Sequence, residues 1–452
     1  MSAALPLSIR RRACSSVPRR TQLRAPLTAL GAVLASAAVA VARADPLPFD
    51  AALRLAEARS LRLPAQDASA TAARQMAIAA GQRPDPVLKA GVVNLPVDGP
   101  DRFSLTRDFM TMRSVGVMQE LTGSRKLQAR SSRFEREAEV AEAGRRLALA
   151  ALQRETAAAW LDRHFEEQLR AMLMAQRDEA RLQVEAADAA YRGGRGAQAD
   201  VFQARSAVAQ IEDAVAQADR RVASARIRLA RWIGAPGADA LGAAPALGTV
   251  GLRDEEIERV LARHPSIEVM ARQEAAAEAV VEVERANRRP DVSVELMYSQ
   301  RGPAYSNMVS VNVSVPLPWN RAQRQDREVA ASVATVERLR AEREEATREQ
   351  TAELRSMLEE WRSHRSRLDR YDASLLPLAG ERTRAALAAY RGGSSTLAAV
   401  LESRRAEIET RTERLRLEMD AARLWAQLEF VIPQVRTAAA SLAPAGQERS
   451  RP

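Results

Sequence analysis

Three kinds of side chain in this sequence could carry chemistry. Met110, Met112 and Met118 sit at even spacing in DRFSLTRDFMTMRSVGVMQEL (101–121), so an extended chain puts them on one face. Thioethers are soft ligands suited to Cu(I) and similar cations, although methionine also fills irregular gaps. Two carboxylates follow two copies of the word AAYRGG: Asp200, six residues after Gly194, and Glu402, nine residues after Gly393. Acids near a helix N-terminus are favoured by the helix dipole alone, so position by itself makes neither a site. His164, His264 and His364 lie far apart in helical contexts. No pair of them has metal-ligand spacing, so packing roles are expected. There is no phosphate loop, no HExxH and no G-x-S-x-G, and the acids pair with arginines at helical spacing. No enzyme activity and no cofactor are therefore expected.

The elements that must position these residues are long. The chain has 452 residues, 46% hydrophobic and 28% charged but only 4% aromatic. Ala, Arg, Glu and Leu dominate long stretches, which favours long helices or coiled coils over several compact cores. The formal charge of +10 would suit nucleic acid, but seven arginines and no acid lie in residues 1–44. Without them the balance is 61 basic to 58 acidic residues, and nucleic acid is not an expected partner. The same segment has a basic start, an apolar run from Ala25 to Val41 and the small-residue site Ala42-Arg43-Ala44. That order describes an export signal. The one cysteine, Cys14, precedes the apolar run, so the mature chain would hold neither disulfide nor thiolate site.

The mature chain reads as a duplication. AAYRGG recurs at 189–194 and 388–393, RPD at 83–85 and 289–291, and SVGVMQELTGSR (114–125) aligns with SVNVSVPLPWNR (310–321). The join falls in the Gly/Pro-rich stretch 232–252. This gives a signal at 1–44, a first repeat at 45–250, a second at 251–436 and a tail at 437–452 expected to be disordered. Each repeat predicts a helix, a β-hairpin, a long helix, a break at YRGG and a shorter helix. Strands are expected at about 85–94, 110–121, 291–299 and 308–317, the second pair alternating most cleanly. By the alignment the three methionines share the face of Ser310, Asn312 and Ser314. A helix is expected over 254–288, capped by Asp254. Long helices are expected over 125–190 and 322–390, with a local bend at Pro377. Leu354, Trp361, Leu368 and Leu375 recur every seven residues, with Leu358 and Leu378 beside them, which is coiled-coil spacing. The charged faces of these helices are expected to be solvated or to pair between chains.

Alternating strands of about ten residues fit a tilted membrane-spanning strand. Four strands cannot close a barrel, and open edges cannot face lipid, so several chains would have to share one barrel. At this point the chain resembles the TolC-like outer-membrane efflux channels, the outer membrane factors of tripartite efflux systems. The words carrying the resemblance are HPSI (264–267), RPD before the strands, VPLPWN-R after them and AYRGG before a short helix. The segment 101–121 is similar to the branch exporting heavy metals (cobalt-zinc-cadmium or copper-silver) through resistance-nodulation-division (RND) pumps.

The resemblance implies a mainly α fold with a small β part. Four membrane strands per chain would make a 12-stranded barrel as a homotrimer, continued by a periplasmic α-helical barrel. It implies a passive exit duct in the cell outer membrane that contacts outer-membrane lipid, a periplasmic adaptor (membrane fusion protein) and an inner-membrane RND pump. In that family Tyr-x-x-Gly is the tip that closes and opens the pore, so Tyr191, Gly194, Tyr390, Arg391 and Gly393 are the implied gate. Asp200 aligns with a latch carboxylate and Glu402 with an acidic ring at the mouth. The second-repeat counterpart of Asp200 is Ala399, and Ser395 stands where relatives place a latch arginine. Arg391, Arg404 and Arg405 are then the candidates for the latch. Rival readings are a type I secretion channel for polypeptides, a periplasmic adaptor with an α-hairpin, and a coiled-coil scaffold.

Overall fold

A computed structural model describes residues 46–194, 196–238 and 240–434. The expected signal, Cys14 and the expected tail lie outside the described residues. The fold is mainly α with a small β part. In chain order it runs α1 (Phe49–Arg59), α2 (Arg62–Ala80), β1 (Val87–Val93), β2 (Met112–Leu121), α3 (Ser124–Arg192) and α4 (Gln198–Ile233). After a linker come α5 (Ile257–Leu261), α6 (Pro265–Asn287), β3 (Val292–Gln300), β4 (Met308–Ser314), α7 (Gln325–Arg370), α8 (Leu376–Arg391) and α9 (Leu397–Glu429).

The four strands form one antiparallel sheet in the order β1-β2-β3-β4, so the two hairpins join through β2 and β3. Its register separates most side chains by polarity, although Arg113, Gln119 and Gln300 share the apolar face and Val87, Val93 and the methionines the polar one. Opposed residues share a face. One face carries Leu88, Val92, Val115, Val117, Leu121, Val294, Leu296, Tyr298, Val309, Val311 and Val313. The other carries Lys89, Ser114, Gly116, Glu120, Ser293, Glu295, Ser299, Ser310, Asn312 and Ser314. On that face Lys89 Nζ donates to Glu295 at 2.7 Å and the hydroxyls of Ser114 and Ser299 lie 3.0 Å apart. The apolar face is exposed: Val309, Val311 and Val313 are each about two-thirds accessible, and only in the middle strands is the polar face more covered, at Ser114 and Ser299. β1 and β4 leave their outer edges unpaired among the described residues. The ladder of β4 stops at Ser314, ahead of Pro316 and Pro318, which cannot donate to it.

α3 runs 69 residues without interruption, about 100 Å at the usual rise. Straight-chain and alanine residues with good helix propensity fill it. Lys126, near its start, is buried and donates to the Arg289 carbonyl at 2.9 Å and to Asp291 at 2.8 Å. The base of the long helix is thereby tied to the entry of β3. The main core lies where α1, α3, α4 and α9 meet. There Phe49 packs edge-on against Trp160 (5.5 Å) and beside Trp425 (6.0 Å), and the Trp425 indole donates to the Thr249 carbonyl at 3.0 Å.

Four expected helical features differ. The helix expected over 254–288 is broken: a 3-10 turn at Asp254–Glu256 leads into α5, and α6 begins afresh at Pro265. The reason is the His264-Pro265 pair, since a residue before proline avoids the helical region and proline itself suits a first helical turn. His264 caps α6, its Nδ1 accepting from the Ser266 amide at 3.3 Å. Asp254 caps nothing and instead accepts from Arg362 at 2.8 Å. The second long helix is also not continuous, because a π turn at Tyr371–Leu375 separates α7 from α8, just before Pro377. Leu354, Leu358 and Leu368 are buried as the heptad predicts, whereas Leu375 and Leu378 are exposed. A π turn adds a residue to the helical ladder, which rotates everything downstream by about 100° and turns those leucines off the seam.

Some charged faces stitch helices within the chain. Glu274 of α6 accepts from Arg340 (2.8 Å) and Arg343 (2.9 Å) of α7, and those two hydrogen bonds hold its carboxyl below the usual range.

Candidate functional site

The two YRGG breaks are built alike. α3 and α8 each end at a Tyr-Arg pair, and the Tyr191 and Tyr390 carbonyls accept from Gly194 and Gly393 at 3.0 Å. Gly194 (φ +68°) and Gly393 (φ +74°) both sit in left-handed backbone, which only glycine adopts freely. That is why the second glycine of each pair reverses the chain.

The next helices are capped differently. Asp200 accepts from the Ala197 amide at 3.1 Å, reaching back over the first turn of α4. In the second copy the cap is Thr396, whose hydroxyl accepts from the Ala399 amide at 3.4 Å. The departure of Ala399 from an acid is thus compensated locally by a threonine three residues earlier.

Above the turns the two helical hairpins close on each other. Ala187 of α3, Val201 and Ala204 of α4, and Leu397 and Val400 of α9 form a small buried cluster, with Tyr390 packed against it. Tyr191, by contrast, is exposed. Arg391 lies exposed at the end of α8, and Ser395 is half-buried in the turn. Glu402 is also exposed, with Arg382 of α8 3.9 Å away. It lines a groove between the hairpins together with Ala180, Ile211, Leu401 and Arg405.

Of the three candidate arginines, Arg391, Arg404 and Arg405, Arg404 is the one that bridges the hairpins. It bonds Glu179 on α3 and Glu407 at 3.2 Å on its own helix, while Arg411 holds Glu407 from the other side at 2.6 Å. Glu407 is almost fully buried, and a buried carboxylate requires such partners. Arg405 pairs with Glu409, one turn away on its own helix. Glu179 and Glu407 were not legible as candidates, because each is one acid among many on a charged helix.

The methionines divide. Met112 and Met118 lie in β2 on the polar face, opposite Val93 and Val87. Met110 does not: it precedes the strand, in a loop where Asp108 accepts from its amide at 2.8 Å and from Thr111 at 3.1 Å. The Asp108 side chain satisfies backbone that a ladder would otherwise pair, so the strand starts late. Among the described residues, no group of three or more His, Cys, Asp and Glu side chains could hold a metal. His164 stacks on Trp160 at 5.2 Å, and burial lowers its pKa. No helix among the described residues is long and apolar enough to cross a membrane.

Residues 257–432 match the family model described as outer membrane efflux protein. The chain is similar in structure to the outer-membrane channel OprN, with 18% identity over 85% of this chain and 90% of that one and a TM-score of 0.70. It is likewise similar to the outer membrane protein VceC of Vibrio cholerae, with 17% identity, 85% and 95% of the two chains covered and a TM-score of 0.69. A third likeness is to CusC, described as undergoing transmembrane channel formation, with 15% identity, 84% and 91% covered and a TM-score of 0.67. A comparison with curated proteins finds no match.

Proposed function

We propose, from the match of residues 257–432 to the outer membrane efflux protein model, that this chain is a passive exit duct in the outer membrane. Three copies would pool four strands each into a closed 12-stranded barrel, and their long helices would continue it through the periplasm. The single observation that supports this most is the sheet. It has an exposed apolar face, a polar face bearing Lys89–Glu295, and two free edges. Open edges are not tolerated in lipid, whereas an apolar outside and a polar inside are what a membrane barrel requires.

In this reading the chain is two copies of one unit, 45–250 and 251–436. The tips at Tyr191–Gly194 and Tyr390–Gly393 are the gate, and Arg391 flanks it. Threefold repetition would set Glu402 around the periplasmic mouth, where a carboxylate ring favours cations. Asp200 contributes by holding the start of α4. Arg404, rather than Arg391 or Arg405, carries the internal latch through Glu179. The duct has no catalytic step: cations, heavy-metal ions among them, would be delivered by a periplasmic adaptor and an inner-membrane RND pump.

The test is fractionation and conductance. The mature protein is expected in the outer-membrane fraction as a heat-dissociable trimer that forms pores in planar bilayers. Recovery as a water-soluble monomer without conductance would refute the proposal.

A further inference from the structure

The sheet contains four methionines: Met112, Met118, Met297 and Met308. All four lie on the polar face, none on the apolar one. Burial energetics predict the reverse, because an apolar side chain gains by leaving water. Three of them form a line. Met118 is opposite Glu295, two residues from Met297; Met297 is opposite Ser310, two residues from Met308. Each step therefore moves one strand across and two residues along. Such diagonal neighbours are about 7–8 Å apart at the backbone, within reach of long side chains.

The surroundings leave this line open. Met297 is flanked by Gly116 and Ser310. A side chain at Gly116 would have its Cβ 2.6 Å from the Leu296 carbonyl and 3.1 Å from the Met297 Cβ. The lane beside Met297 on the β2 side therefore stays clear. The carboxylate opposite Met118, that of Glu295, is paired with Lys89 at 2.7 Å. The donors left along the line are three thioethers and the neutral oxygens of Ser310 and Asn312, and the thioethers favour soft ions such as Cu(I) and Ag(I) over Zn²⁺ or Mg²⁺.

We propose that Met118, Met297 and Met308 are a track of thioether ligands for soft monovalent cations along the polar face of the sheet. This rests on the duct reading, in which that face lines the lumen, and names the class of cargo. Ligation is weak and shared between sites, as conduction requires.

The test is equilibrium dialysis of the detergent-solubilised full chain against Ag⁺ in chloride-free buffer, with bound silver measured by mass spectrometry. Bound silver is expected to fall by at least one ion per chain in the Met118→Leu/Met297→Leu/Met308→Leu variant, while Met110→Leu changes nothing. Leucine conserves volume. Single Met297→Leu, the mildest change, is expected to weaken binding about tenfold, because it removes the middle ligand. Unchanged silver binding in the triple variant, or Zn²⁺ bound as well as Ag⁺, would overturn the track. Conductance in planar bilayers separates the two proposals. Pores that form while silver binding is insensitive to the methionines reject the track alone. Silver binding lost with the methionines in a protein that forms no pore rejects the duct and keeps the site.

Discussion

At the residue scale, what a side chain does depends on which neighbour already claims it. Asp200 and Glu402 both follow a YRGG turn, yet Asp200 holds a backbone amide while Glu402 stays exposed beside Arg382. In the proposed duct, Glu402 would therefore be the carboxylate of the two that is available to passing ions. Glu402→Gln is expected to lower the cation-over-anion permeability ratio of the trimer about twofold, read from the reversal potential in a salt gradient. An unchanged potential would remove Glu402 from the pore mouth.

His264 contributes a pH dependence. Burial, then Arg154, lowers its pKa from the ordinary 6.5, against a smaller opposing pull from Glu353. Its Nδ1 must be free of a proton to accept from Ser266. The unfolded chain therefore takes up this proton before the folded one does. Stability is complete above about pH 6.5 and is lost as pH falls toward the lower folded value. His264→Asn keeps a good helix cap and is expected to flatten the fall in apparent melting temperature between pH 7.5 and 5.5.

At the element scale, the two long helices differ in a way their composition does not announce. α3 is unbroken, whereas its counterpart is interrupted by the π turn at Tyr371–Leu375. The interruption is held from α9: the Tyr371 hydroxyl donates to Glu413 at 3.0 Å, and Asp372 accepts from Arg414 at 2.9 Å. Above the turns, the hairpins are joined by Arg404. Arg404→Met removes one of the two partners of the buried Glu407 and leaves Glu179 alone on α3. It is expected to cost about 1–3 kcal/mol, measured as a lower melting temperature, whereas Arg405→Met on the exposed Glu409 pair leaves it unchanged. Equal effects from the two variants would mean that Arg404 does not join the hairpins.

At the scale of the whole molecule, the sheet's two faces make opposite demands. In a closed barrel Val311 would meet lipid and Ser310 water, although they are adjacent in sequence. Val311→Lys is expected to cost about 2–4 kcal/mol at mid-membrane and to reduce the trimer recovered from outer membranes. Ser310→Lys on the polar face should be tolerated. If both variants assemble equally well, the apolar face is not the lipid face.

Much of this was legible in the residues because it is local and periodic. Period-2 alternation marked β3 and β4 and assigned their faces, and the repeated YRGG placed both turns to the residue. Helix-forming composition announced the long helices. Tertiary structure decided what periodicity cannot carry. Met110 left the strand because Asp108 captured its amide, and the heptad failed after Leu368 because one π turn rotated the helix. The pairing of β2 with β3 brought Met297 and Met308 into line with Met118 from nearly 200 residues away. Sequence patterns record each segment's own preference for water or an apolar neighbour. Which distant segment satisfies that preference is settled only when the chain closes on itself.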